Sequence, residues 1–294
     1  VGIADIAKRT GCAVTAELGP PKGTNLEGFL KQAAFLKGRV HGVNVTDGQA
    51  GLMKLGSLAA CHKLKVSGIE PILQITCRDR NRIALQSDLL SASVLGIENV
   101  LVLTGDPVTI GDHPTAKPVF DLDAGELMAT VKKLGAGLDL TDHKLDGAAR
   151  FSIGAAMNPC VEDLETEISK TRRKIESGAD FFQTQGVFDP ARFERFITRY
   201  HKERFTVPIL AGIILVKSVK MAVFMNEKIP GIVIPPQVIA RFDGKVDGRP
   251  EATALAADLI RALKPYVQGF HLMALGWEDL VPDIVDRAGI QPSF

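Results

Sequence analysis

Short β-branched, apolar runs alternate with longer stretches in which apolar residues recur at helical spacing, from one end of the chain to the other. The runs at 13–17, 40–46, 71–76, 99–103, 151–156, 181–185 and 208–213 predict strands. Between them, 26–36, 52–63, 81–95, 125–134, 164–177, 190–200 and 218–225 predict helices. The segment 81–95 carries Ile83, Leu85, Leu89, Leu90 and Val94 at helical spacing. Residues 135–149, rich in Gly and Asp, predict an exposed loop or a small hairpin. An eighth strand has two candidates, 231–234 and 269–273. The first is followed at once by Pro235-Pro236, and the second follows a strong helix at 252–263. The second is therefore taken as the strand and the first as part of a helical insertion.

Strand-then-helix units repeated in this way imply parallel strands joined by right-handed crossovers. Eight of them favour a closed (β/α)8 TIM barrel over an open doubly wound sheet. The chain of 294 residues suits one such barrel, read as a single domain over 1–294. No GxGxxG follows the first strand and no GxxxxGK[ST] occurs, so neither a Rossmann dinucleotide site nor a P-loop is supported.

Barrel chemistry sits at the C-terminal ends of the strands. That rule selects Glu17, Thr46-Asp47, Gln74 with Thr76-Cys77, Thr104-Gly105-Asp106, Asn158, Gln183-Thr184-Gln185 and His271, the last with its facing open. Glu17 interrupts an apolar strand, and partial desolvation there should raise its pKa and suit it to donate a proton. A carboxylate that caps a loop or pairs with a lysine is an equal alternative at this point. Gln74 and Gln185 either bind a ligand or satisfy each other. Lys170 to Lys174 place four positive charges in five residues, enough for a phosphate but also usual for a solvated helix face. Arg78, Arg80 and Arg82 lie on the active-site side and have a better claim to a ligand or partner. Phe242 is either a stacking ring or a core phenylalanine.

Composition narrows the class further. Lys and Arg total 35 against 34 Asp and Glu, which points to no nucleic acid and no anionic membrane as partner. The four cysteines form no CxxC pair, so no metal site is expected and the thiols read as reduced, in the cytoplasm. No apolar run approaches membrane-spanning length.

These residues resemble the methylenetetrahydrofolate reductase family. Thr15-Ala16-Glu17-Leu18-Gly19-Pro20-Pro21 is similar to its first strand and Val43-Asn44-Val45-Thr46-Asp47 to its second. Ile75 to Asn81 is similar to the third, and Leu103-Thr104-Gly105-Asp106-Pro107 to the fourth. Arg173-Lys174, Gly178-Ala179-Asp180, Gln183-Thr184-Gln185 and Phe188-Asp189 resemble the fifth and sixth units. The resemblance implies a flavin, FAD or FMN, across the top of the barrel, through which hydride from a donor such as NAD(P)H reaches the methylene carbon of a tetrahydrofolate derivative. It implies Glu17 and Asp106 as catalytic residues, the first on the proton and the second beside flavin and pterin. Flavin contacts fall at Thr46, Gln74, Thr104, Gly105, Asp106, Asn158, Lys170, Arg173 and Lys174. Substrate contacts fall at Glu17, Asp106, Gln185 and Phe242. Gln74, Thr104, Asn158 and Trp277 differ from the family's usual His, Arg, Tyr and Arg, which leaves FAD, FMN and a flavin-independent relative open. The Arg78 to Asn81 and Leu85-Gln86-Ser87 pattern resembles branches fused to a methyltransferase, or fed electrons by an iron-sulfur/zinc accessory subunit; a homo-oligomer is the other assembly implied.

Overall fold

The computed structural model describes residues 1–229 and 231–292. Eight parallel strands close into a barrel in chain order, with the eighth hydrogen-bonded to the first. They are β1 (Ala13–Leu18), β2 (Gly42–Val45), β3 (Pro71–Thr76), β4 (Asn99–Leu103), β5 (Ser152–Met157), β6 (Phe181–Gly186), β7 (Ile209–Ile214) and β8 (Gly269–Met273). The helices are α1 (Ile3–Thr10), α2 (Glu27–Leu36), α3 (Ser57–Val66), α4 (Arg82–Val94), α5 (Ala124–Gly135), α6 (Leu164–Glu176), α7 (Pro190–Lys202), α8 (Val219–Lys228), α9 (Pro236–Ala240), α10 (Arg249–Leu263) and α11 (Val281–Arg287).

Local chemistry explains where the helices start. The Asn81 side chain accepts from the amides of Ile83 and Ala84 and opens α4. Asp123 and Glu126 form a reciprocal capping box on α5, and Asp189 caps α7 ahead of Pro190 at its first position. The helix expected from residue 52 starts only at Ser57. Ala50 and Gly51 are both left-handed, so a short 3-10 turn over Gln49–Gly51 and an extended stretch replace its first turns. The run at 231–234 is not a strand. Asn226 takes the place of a neighbouring strand there: its side chain accepts from Ile234 N at 2.7 Å and donates to Ile234 O at 2.9 Å. The predicted insertion contains α9. Residues 135–149 form a loop pinned by one antiparallel bridge, Leu138 to Lys144.

Inward-facing residues fill the barrel in layers. At the base, Ala13, Ile72, Leu101, Phe181 and Leu210 pack with Ile3, Ala4, Ile6 and Ala7 of α1, which plugs that end. The plug is fixed by Ile3 N donating to the buried Asn99 side chain at 2.8 Å. Above it comes a polar layer of Thr15, Asn44 and Gln183, and above that the cleft at the strand ends. Outside the barrel, a larger apolar cluster joins strands to the helical ring. Among the described residues no helix is long and apolar enough to cross a membrane.

Phe181 is fully buried in the basal layer, far from the strand tips. Phe181→Ala should cost about 3–5 kcal/mol through lost burial and the cavity left behind. Urea unfolding measures this, and a loss under about 1 kcal/mol would mean that the base repacks around the gap.

Candidate active site

A cleft of 360 Å³ opens at the C-terminal ends of the strands, within the usual size range of small-molecule sites. Glu17, Gln74, Thr104, Gly105, Asp106, Gln185 and His271 all line it. Strand alternation brings them together. Thr15 and Glu17 share the inner face of β1, and the ladder sets Glu17 beside Asn44 and Thr15 beside His271.

Glu17 anchors a polar chain across the barrel. Gln74 Nε2 donates to its Oε2 at 2.9 Å, and Gln49 Nε2 approaches Oε1 at 3.5 Å. His271 Nε2 stands 3.7 Å from Oε2. On its other side, His271 Nδ1 lies 2.9 Å from the Thr15 hydroxyl, which also accepts from Gln183 Nε2 at 3.0 Å. Gln183 and Asn44 exchange two amide hydrogen bonds, of 2.8 and 3.0 Å. His271 thus faces inward, which settles the facing that sequence left open, and Gln74 serves Glu17 rather than Gln185.

The direction of the Glu17 pKa corrects the expectation from sequence. Burial is the largest influence and raises it, but His271 as hydrogen-bond and charge partner, with the Gln74 and Gln49 amides, outweighs burial. The net pKa lies below the ordinary 4.5, so Glu17 rests as a carboxylate. A proton that leaves from Glu17 must first be delivered to it.

Across the cleft, Asp106 is held at the tip of β4. Its Oδ2 accepts from Ala50 N at 2.7 Å, while the rest of the side chain remains exposed. Gln185 is exposed to the cleft by an irregularity in the β6–β7 ladder, where Thr184 Oγ1 accepts from Gly212 N at 2.8 Å in place of a backbone carbonyl.

The three arginines after β3 are committed to acids. Arg78 forks onto Asp79, Arg80 pairs with Asp47 and Asp88, and Arg82 pairs with Asp121. Each guanidinium is paired with a carboxylate of the same chain, and none of the three lines the cleft. On α6, Arg172 pairs with Glu203 and lies over the Phe205 ring, whereas Lys170 and Arg173 are exposed. Lys174 turns inward and donates to Ala156 O at 2.6 Å.

Six expected site residues are not among those that line the cleft: Thr46, Asn158, Lys170, Arg173, Lys174 and Phe242. Asn158 Nδ2 is wedged against the Gly231 backbone, where a Cβ would sit 1.6 Å from it. Phe242 is a buried core side chain. Thr46 is buried too, and its hydroxyl has no partner among the described residues. Sequence reasoning missed Thr15, whose signal was its parity with Glu17, and Asn44, whose partner lies 139 residues away. The buried Cys77 and Cys160 thiols are pushed by desolvation up to about 11 and about 12, so neither is a thiolate nucleophile at neutral pH.

A sequence profile of the family described as methylenetetrahydrofolate reductase matches residues 3–289. The chain belongs to the methylenetetrahydrofolate reductase family. It is 25% identical to a 5,10-methylenetetrahydrofolate reductase of Pectobacterium carotovorum, over 77% of this chain and 72% of that one. The Escherichia coli protein of that name is also 25% identical, over 78% of this chain and 73% of its own length. Methylenetetrahydrofolate reductase 1 of Schizosaccharomyces pombe is 23% identical over 93% of this chain, which spans only 45% of that longer protein. Among solved structures, an uncharacterized Clostridium thermocellum protein that binds two copies of 5-methyl-5,6,7,8-tetrahydrofolic acid superposes with a TM-score of 0.64. Its identity is 15%, over 95% of this chain and 97% of that one, and at that level it shows the shared fold.

Membership fixes the family chemistry as oxidoreduction, and the Glu17 environment makes a pH prediction. A lowered folded-state pKa contributes stability that is present above the ordinary value of 4.5 and is lost as pH falls through the folded value. The stability gap between wild type and Glu17→Gln, followed by urea unfolding from about pH 6 to about pH 3, should therefore shrink on acidification. A gap that widens would show that burial wins and that Glu17 rests protonated.

Proposed function

We propose that this family member reduces 5,10-methylenetetrahydrofolate to 5-methyltetrahydrofolate in the cleft, with a non-covalent flavin, FAD or FMN, and with NAD(P)H as donor. The observation that carries the reading is the opposition of two carboxylates, Glu17 and Asp106, across a cleft whose floor is a buried network of hydrogen-bonded side chains. The residues suit a flavin. Among the described residues the buried Thr46 hydroxyl lacks a partner, and Gly105 lines the cleft wall without a side chain. Thr46, Gln74, Thr104, Gly105 and Asp106 would hold the ring system, and Lys170, Arg173 and Lys174 its phosphate. When bound, the flavin supplies hydride for the methylene carbon.

The remaining work falls to the chain itself. Opening the folate ring to an iminium requires a proton, and Glu17, a carboxylate at rest, can relay one that enters from solvent at the open cleft, with His271 behind it. His271 holds Glu17 in place and is the nearest group through which its charge can be balanced while a proton passes. Gln185 reaches the cleft from β6 and can bind the pterin edge. Asp106, fixed by Ala50 N through one oxygen, keeps the other for a ligand N–H.

Glu17→Gln separates the two halves of the reaction. Reduction of the loaded protein by an artificial donor should stay near the wild-type rate, while oxidation by the folate substrate should slow by about 10²–10⁴-fold. Stopped-flow traces decide; an unchanged folate step would remove Glu17 from the proton path, and loss of both steps with early melting would make it structural.

The two neighbouring arginines on α6 give an independent check on the flavin. Arg172 is engaged with Glu203, so Arg172→Ala should keep its flavin and lose no more than about 1 kcal/mol of stability. Arg173→Ala should lower the flavin released on denaturation. Equal flavin content in the two variants would take the phosphate away from α6.

A further inference from the structure

Arg78 is a buried charge outside the cleft lining, and its hydrogen bonds all go to groups of the chain itself. It is 3% exposed. Its neighbour Asp79 takes Nε at 2.8 Å and Nη2 at 2.6 Å, which fixes the plane of the guanidinium. That leaves Nη1, which donates to two backbone carbonyls, Gly48 O and Asp106 O, each at 3.0 Å. One carbonyl belongs to the turn after β2 and the other to the tip of β4. The Arg78 carbonyl in turn accepts from Val119 N at 2.7 Å, which ties in the returning segment of the loop after β4.

The two turns are shaped to receive this side chain. Gly48 has φ +57°, and a Cβ there would lie 2.3 Å from Arg78 Nη2. Gly105 has φ +97°, and a Cβ there would lie 2.9 Å from Arg78 Cβ. Both backbones approach closer than a residue with a side chain allows. The turn that Arg78 grips through Gly48 carries Ala50, whose amide holds the Asp106 carboxylate at 2.7 Å. Asp106 is thus gripped twice, directly through its own carbonyl and indirectly through its carboxylate's donor.

We propose that Arg78 is a positioning residue that aims the Asp106 carboxylate into the cleft, by joining the peptides of Gly48 and Asp106 through one guanidinium nitrogen. The proposal rests on the reading of the cleft as a folate and flavin site. A ligand that meets Asp106 finds the carboxylate already oriented, so binding does not have to order two separate turns. The role requires a planar fork. A lysine at 78 keeps the charge but offers a single nitrogen on a flexible stem, which cannot hold Asp79 in two places and both carbonyls as well.

A double-mutant cycle tests it on the full chain, with 5-methyltetrahydrofolate as the probe and its dissociation constant as the readout. Asp106→Asn is expected to weaken binding in the native background. Arg78→Lys is expected to weaken it by roughly 10-fold, the scale of ordering one or two side chains. In the double variant, Asp106→Asn should then add little. With flavin bound, Arg78→Lys should also shift the visible absorption bands in the direction that Asp106→Asn shifts them, which a general loss of stability does not do. If Arg78→Lys fails to fold, Gly48→Ala displaces the guanidinium from the other side without removing its charge and should reproduce the weakened binding. Losses that simply multiply in the double variant, or an unshifted spectrum, overturn the role of Arg78. If Asp106→Asn alone leaves binding unchanged, Asp106 is not a ligand contact, and that reading falls together with the proposal.

Discussion

Closing eight parallel strands into a barrel creates an interior that side chains must fill, and every polar group placed there must find a partner inside it. That constraint organises the rest of this molecule. At the base the requirement is met by apolar packing against α1. Halfway up it is met by amides and hydroxyls that bond to one another, Asn44 to Gln183 to Thr15. At the top the same chain of bonds reaches His271 and Glu17, where the barrel opens to solvent and a ligand can join the network. Glu17 is the last member of a buried polar column, and its geometry is set from below.

The behaviour of Glu17 follows from that column. A carboxyl surrounded by apolar strands would be driven toward its neutral form. Here three donors converge on it from β3, β8 and the turn after β2, and their sum exceeds the cost of desolvation. The site therefore holds negative charge at rest at Glu17, with the exposed Asp106 side chain on the facing wall. A ligand with hydrogen-bond donors on two edges, as a pterin has, complements such a cleft better than an anion does.

Much of this was legible in the sequence. Strand period and chain order gave the barrel, the strand-tip rule gave Glu17, Gln74, Asp106 and Gln185, and the choice of 269–273 as the eighth strand held. The rejected run at 231–234 has strand-like residues, but proline follows, and the Asn226 side chain satisfies Ile234 where a neighbouring strand would have. What sequence hid was partnership across long separations. Arg82 is paired with Asp121, 39 positions away, and Asn44 with Gln183. A run of basic residues looks the same whether its counterions are ligands or distant acids of the same chain. The direction of the Glu17 pKa was hidden for the same reason, because Glu17 by itself shows only that it will be buried.

The plug at the base has a consequence for how the chain assembles. The surface that receives α1 is built from β1, β3, β4, β6 and β7, and its anchoring acceptor is Asn99. That surface is incomplete until the strands up to β7 have met. The helix nearest the start of the chain is thus obliged to wait for residues some two hundred positions later, with Ile3 and Ile6 uncovered meanwhile. A contact of such long range closes late and pays its loop entropy at the end. Docking of α1 therefore reports that the strands as far as β7 have met, and protection of the Ile3 amide is a marker for that joint assembly rather than for any one unit.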